Sequence, residues 1–282
     1  MVGNAPDDHA EWEKRLGRIA DAARQWQEGM SGEPARIEAG SDLAEDDVGF
    51  EGFSVSHLVG YSLAAATEHL DFTLNVMKLT STLYPTAYLT VLRTSLLAAS
   101  HAAWILSPDQ RSERQLRGLQ FLADDVRAQL VMTREALATT DRAHAAKDKM
   151  IALLVSRQAE LQRIADALKP GLQIAKCQIN NTKIIESVAQ TTHEEDLAQG
   201  GVNMVWRSTS AAAHGSRGFA TMRLKQNQIV ESRSGARYSL LRGDLTNDIG
   251  PAAASAALAL SFAFKMHDQR RLKHHATNRA DD

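Results

Sequence analysis

Residues 54–80 have the sequence SVSHLVGYSLAAATEHLDFTLNVMKLT, in which apolar side chains recur every three or four positions. This spacing is the period of an amphipathic α-helix, and it places the apolar side chains on one face. We therefore predict a helix that buries one side in a helical core. The apolar stripe consists of Val55, Leu58, Val59, Ala66, Leu70, Leu74 and Met77.

The flanking segments have the same helical character. Residues 85–106 begin with a proline, which is favoured in the first turn of a helix, and end just before Pro108. Between 109 and 169 the sequence contains one glycine and no proline, so this stretch forms either one very long helix or an antiparallel pair. We favour the pair, with its turn in the polar residues 139–149. A last, alanine-rich helix is expected after Gly250.

Two segments depart from the helical period. Residues 219–224 and 229–233 flank a polar turn at 225–228, a pattern typical of a small β-hairpin. Residues 28–51 contain eight carboxylates and one basic residue, which predicts an exposed acidic linker.

We therefore predict a mainly α fold, a helical bundle with a long inserted helical hairpin at 109–169 and a small β-hairpin at 219–233, near the C-terminus. Residues 1–53 would form an N-terminal helix and the acidic linker, and residues 54–282 the helical domain. A chain of 282 residues is long enough to bury a sizeable core without disulfides.

The composition narrows the classes of function. The net charge is −2, and a single cysteine excludes an internal disulfide and a cysteine-rich zinc module. The most apolar stretch, 252–266, is shorter than the roughly 20 residues of a membrane span, so we expect a soluble cytoplasmic protein with no membrane partner. Because the sequence lacks the HExxH, ExxH and GxGxxG signatures, we expect no metal and no cofactor.

Arg93 is the only formally charged residue between positions 79 and 108, and it lies in an apolar helix. A buried guanidinium needs a carboxylate or a phosphate, because burying an unpaired charge is costly. Two interpretations stay open. Arg93 forms an internal ion pair with Glu68 or Asp71 of the preceding helix, or it binds a ligand or a phosphate.

Arg207, Ser210 and His214 are spaced by three and four residues, which places them on one face of a helix. An arginine can stabilise the charge of a phosphorane, and a histidine can transfer a proton at a 2′-hydroxyl; neither step requires a metal. We predict that Arg207 steadies the scissile phosphate of an RNA, that His214 handles the proton and that Ser210 positions either.

These residues also carry a resemblance to a known family. Residues 207–214 resemble the R-x(4-6)-H motif of HEPN-domain proteins. The sequence WRxxSxxxHG at 206–215 and LRTSLL at 92–97 are similar to uncharacterised HEPN-like bacterial helical proteins. The resemblance covers about 54–107 and 202–272. It implies an all-helical, metal-independent endoribonuclease or RNA-binding effector of stress or phage defence, as in toxin–antitoxin systems. It also implies a homodimer and an antitoxin or other protein partner.

Ser208 departs from this pattern, because active HEPN ribonucleases usually carry Asn, Asp or His after the arginine. This favours an alternative, a non-catalytic helical interaction or dimerisation module in which Arg207 and His214 belong to a structural polar network. A ribonuclease loses activity but not its fold when either side chain is removed, whereas a structural network loses melting temperature.

The segment that follows the motif is basic. Residues 207–242 contain seven basic residues and one acidic residue. We predict that Arg217 and Arg223, together with Arg93, bind phosphates of an RNA partner. The alternative is a solvated basic surface.

Overall fold

The structure, a computed structural model, describes residues 5–224, 229–235, 237–239 and 241–273. Across these ranges the protein is mainly helical, which confirms the predicted fold class. Strands β1 (Ile229–Glu231) and β2 (Arg237–Ser239) pair antiparallel. The helices are α1 (Ala5–Met30), α2 (Asp42–Asp46), α3 (Val55–Thr80), α4 (Ala87–Leu106), α5 (Arg111–Glu135), α6 (Asp141–Leu168), α7 (Asn181–Thr192), α8 (Asp196–Ala213), α9 (Arg217–Met222) and α10 (Gly250–Arg271).

The β-hairpin predicted at 219–233 is not seen. Its first half belongs to helix α9, which the Ser216 hydroxyl caps by accepting a hydrogen bond from the Phe219 N–H (3.4 Å). Such a cap satisfies a free N–H of the first turn and so favours the helix. The predicted turn at 225–228 lies outside the described residues, and β1 and β2 are a separate pair that follows it.

Helices α5 and α6 are the predicted pair, and they pack against each other. The turn between them, at 136–140, is earlier and shorter than expected. The reason is Thr140, whose hydroxyl accepts a hydrogen bond from the Ala143 N–H (3.2 Å) and so starts α6. The side chains that the two helices bury include Leu119, Val126, Leu130, Leu154 and Leu161.

The second half of the acidic segment departs from the exposed linker that its composition predicts, whereas residues 31–36 are exposed. Ser41 and Asp46 are buried, and the residues between them form α2, which the Ser41 hydroxyl caps. Asp46 accepts hydrogen bonds from Arg114 Nε (2.7 Å) and Nη2 (3.0 Å). Asp42 accepts one from Arg270 Nη1 (2.6 Å). Arginines from distant parts of the chain therefore compensate the carboxylates and allow the segment to fold.

The chain divides into two compact units. The first unit contains the described residues within 1–35, 61–103 and 181–265, and the second contains those within 36–60, 104–180 and 266–282. In the first unit, Trp26 of α1 stacks on Phe264 of α10 with 5.5 Å between ring centroids. This contact joins the predicted N-terminal helix, within residues 1–53, to the last helix of the predicted domain 54–282.

Two helical segments of the described chain are long and apolar enough to cross a membrane, Ala87–Leu106 and Leu245–Arg271. The second is longer than the apolar stretch at 252–266 because a π-helical turn, Leu245–Ile249, continues into α10. In each segment, 56% of the apolar 18-residue stretch is buried inside the protein. Core helices of soluble proteins have the same length and composition, so this finding places neither segment in a membrane.

Candidate functional site

Helix α8 and its C-cap hold the three predicted catalytic residues, Arg207, Ser210 and His214. The helix ends at Ala213, and Gly215 follows with a φ of +63°, a conformation that glycine adopts without strain. The N–H groups of Gly215 and the next residue donate back to carbonyls of the last helical turn (3.0 and 2.9 Å), which is the Schellman arrangement. The His-Gly pair of the sequence thus marks the end of the helix and places His214 at its C-cap.

Arg207 and His214 are both exposed. They lie seven positions apart, which corresponds to about 10 Å along the axis of an α-helix. Neither side chain has a hydrogen bond or an ion pair with any residue in the described ranges. Both polar groups are therefore available to a ligand.

Ser210, between them on the helix, binds within the protein. Its hydroxyl accepts a hydrogen bond from Arg93 Nε of α4, at 2.9 Å. The structure thereby brings together two predicted site residues that lie 117 positions apart in the chain. Arg93 and Ser210 belong to the same compact unit.

Trp206, to which the sequence pattern assigns no role, completes this contact. The Arg93 guanidinium carbon lies 4.5 Å from the centroid of the Trp206 ring, a cation–π distance. The Trp206 Nε1–H donates to the Thr182 hydroxyl of α7 (3.1 Å). Its position four residues before Ser210, on the same helical face, was the available signal.

The internal ion pair, one of the two interpretations of Arg93, is not found among the residues that the structure describes. Glu68 is exposed, and Asp71 accepts a hydrogen bond from the Asn75 amide (2.8 Å). No carboxylate of the described residues pairs with Arg93, whose hydrogen-bond acceptor is a neutral hydroxyl. Burial lowers the pKa of the Arg93 guanidinium.

The other two predicted phosphate-binding arginines differ from each other. Arg223 is bound by Asp248 through Nε (3.0 Å) and Nη2, and its Nη1 donates to the Pro85 carbonyl (2.9 Å). A phosphate would have to compete with the Asp248 carboxylate for this guanidinium. Arg217 is exposed at the start of α9 and has no ion pair within the described part of the chain.

Two negative findings complete the description of the site, one on metal binding and one on similar proteins. Among the residues that the structure describes, no group of three or more His, Cys, Asp or Glu side chains is placed to hold a metal ion. No protein-family model, no curated protein and no solved structure matches the chain.

Proposed function

We propose that this protein binds RNA at the C-terminal end of α8 and cleaves it there as a metal-independent, HEPN-like endoribonuclease. The observation that carries the proposal is the state of Arg207 and His214. Both are exposed, both lack a partner among the described residues, and they flank Ser210 on the same helix.

The reaction that suits these groups is attack of an RNA 2′-oxygen on the adjacent phosphorus. The phosphorus–O5′ bond breaks, which leaves a 2′,3′-cyclic phosphate and a 5′-hydroxyl. His214 accepts the 2′-hydroxyl proton, and water supplies a proton to the departing 5′-oxygen. Arg207 stabilises the charge that the phosphorane develops. The exposed Arg217, three residues after His214, adds positive charge for the RNA backbone.

A structural role for Arg207 and His214 has less support. Polar groups of a structural network are buried and hydrogen-bonded, and these two side chains are neither. The resemblance supplies the biological context that we propose, which is stress or phage defence by a homodimer with an antitoxin as protein partner.

A non-catalytic interaction module is the second candidate function, and one observation favours it. Leu197 and Met204 of α8 are 87% and 69% exposed, which gives the helix that carries Arg207 an apolar surface for a protein partner.

The test is an RNA cleavage assay in the presence of EDTA. We expect Arg207→Ala and His214→Ala each to lower the cleavage rate of the full chain by about 100-fold or more, since each removes a group that acts in the transition state. Arg163→Ala and His144→Ala, which truncate exposed side chains of α6, are the matched controls and retain wild-type rates.

Circular dichroism and melting temperature accompany each assay. An absence of cleavage by the wild-type protein, or cleavage that survives both α8 substitutions, would overturn the proposal. Absent cleavage together with a melting temperature lowered by several degrees in the α8 variants would support the interaction module instead.

A further inference from the structure

The donors of Arg93 are only partly used. A guanidinium has five N–H groups, and the one on Nε is donated to Ser210. One face of the group is covered by Trp206. Neither Nη atom has an acceptor among the described residues. One N–H from each Nη atom lies along the outer edge of the group, and this pair forms the fork that binds two oxygens of a phosphate.

The charge of Arg93 is also uncompensated. Its two polar contacts with described residues, a hydroxyl and an aromatic ring, are formally neutral. The side chain is partly buried, so its positive charge is less well hydrated than that of a surface arginine. An anion bound at the Nη edge would offset this cost.

Arg93 is connected to the proposed catalytic face through Ser210. Arg207 precedes Ser210 by three residues and His214 follows it by four, which corresponds to about 5 and 6 Å along the helix axis. An RNA strand with one phosphate at Arg207 would therefore have a neighbouring phosphate close to Ser210, the residue to which Arg93 is hydrogen-bonded.

We propose that Arg93 is a second phosphate-binding group of the α8 site, so that the ligand is a single-stranded RNA that engages the protein through at least two phosphates. This inference rests on the proposed function, because it takes Arg207 as the contact to the scissile phosphate. It excludes a mononucleotide as the preferred ligand.

The salt dependence of RNA binding tests the proposal. The probe is a fluorescent 2′-O-methyl RNA strand, which cannot be cleaved because it lacks the free hydroxyl. Each phosphate contact contributes about 0.7 to the slope of log affinity against log salt for a single strand. We expect Arg93→Gln and Arg207→Gln each to reduce the slope by about 0.7, and Arg163→Gln to leave it unchanged.

Arg93→Lys separates phosphate binding from packing and serves if the glutamine variant does not fold. Lysine keeps the charge but lacks the two-pronged fork, so we expect the wild-type slope and an affinity weaker by about ten-fold. Wild-type affinity in Arg93→Lys, or an unchanged slope in folded Arg93→Gln, would overturn the second site. If Arg207→Gln retains its slope as well, or wild type does not bind the strand, the proposed function fails with it.

Discussion

Two arginines of the fold, the buried Arg114 and the partly buried Arg93, have opposite kinds of partner. Arg114 is 2% exposed, and its Nε and Nη2 atoms donate to both carboxylate oxygens of Asp46 (2.7 and 3.0 Å). Its Nη1 atom donates to the carbonyls of Pro108 and Asp109 (3.0 and 2.7 Å). Within the described ranges, Arg93 makes one hydrogen bond, to a serine hydroxyl.

The difference separates a structural arginine from a binding arginine. The chain supplies Arg114 with a countercharge and with an acceptor for every nitrogen, and four of its five N–H groups are donated to the described residues. It supplies Arg93 with neutral contacts that fix the orientation of the guanidinium and leave its charge and its outer edge unused. Preorganised donors of this kind are what an anion-binding site requires.

The largest loss of stability should come from breaking the ion pair between Arg114 and Asp46. We expect Arg114→Met to lower the free energy of unfolding by about 3–5 kcal/mol, because it leaves the buried Asp46 carboxylate without a partner. Arg111→Met, which removes the exposed pair with Glu45 (3.2 Å), should cost no more than about 1 kcal/mol. Urea unfolding measures both, and equal losses would contradict the distinction.

A smaller loss of stability is expected from the methionine substitution at Arg93. Arg93→Met loses a hydrogen bond and a cation–π contact but leaves no carboxylate unpaired, so we expect a loss of about 1–2 kcal/mol. Urea unfolding under identical conditions makes the comparison with Arg114→Met. A loss as large as that of Arg114→Met would mean that Arg93 is a structural residue and would remove the basis for a second phosphate site.

The helical architecture was accessible from the sequence, but the contacts of the site were only partly so. Apolar periodicity is a local property, and it located α3, α4 and the α5–α6 pair. The alternation of apolar and polar residues predicted a strand at 219–224, but residues 217–222 form helix α9. A serine cap outweighs a weak alternation in so short a segment. The local pattern also missed the fold of the acidic segment, whose carboxylates bind Arg114 and Arg270.

The same limitation applied to individual arginines. The sequence singled out Arg93 through its isolation in an apolar helix, but whether its partner is a carboxylate or a hydroxyl depends on residues more than a hundred positions away. The sequence places Arg223 in a basic segment, whereas in the structure Asp248, 25 residues later in the chain, binds its side chain. Pairing of charges is a tertiary property, and composition alone does not contain it.

The most direct test of RNA binding through Arg207 and Arg93 follows the arginine side-chain Nε–H signals by NMR while a 2′-O-methyl RNA strand is titrated into the full chain. We expect the signals of Arg93 and Arg207 to shift and to saturate with the same dissociation constant. The signals of Arg114 and of the exposed Arg163 should not shift. An unshifted Arg207 would contradict RNA binding at α8, and an unshifted Arg93 beside a shifted Arg207 would contradict the second phosphate site.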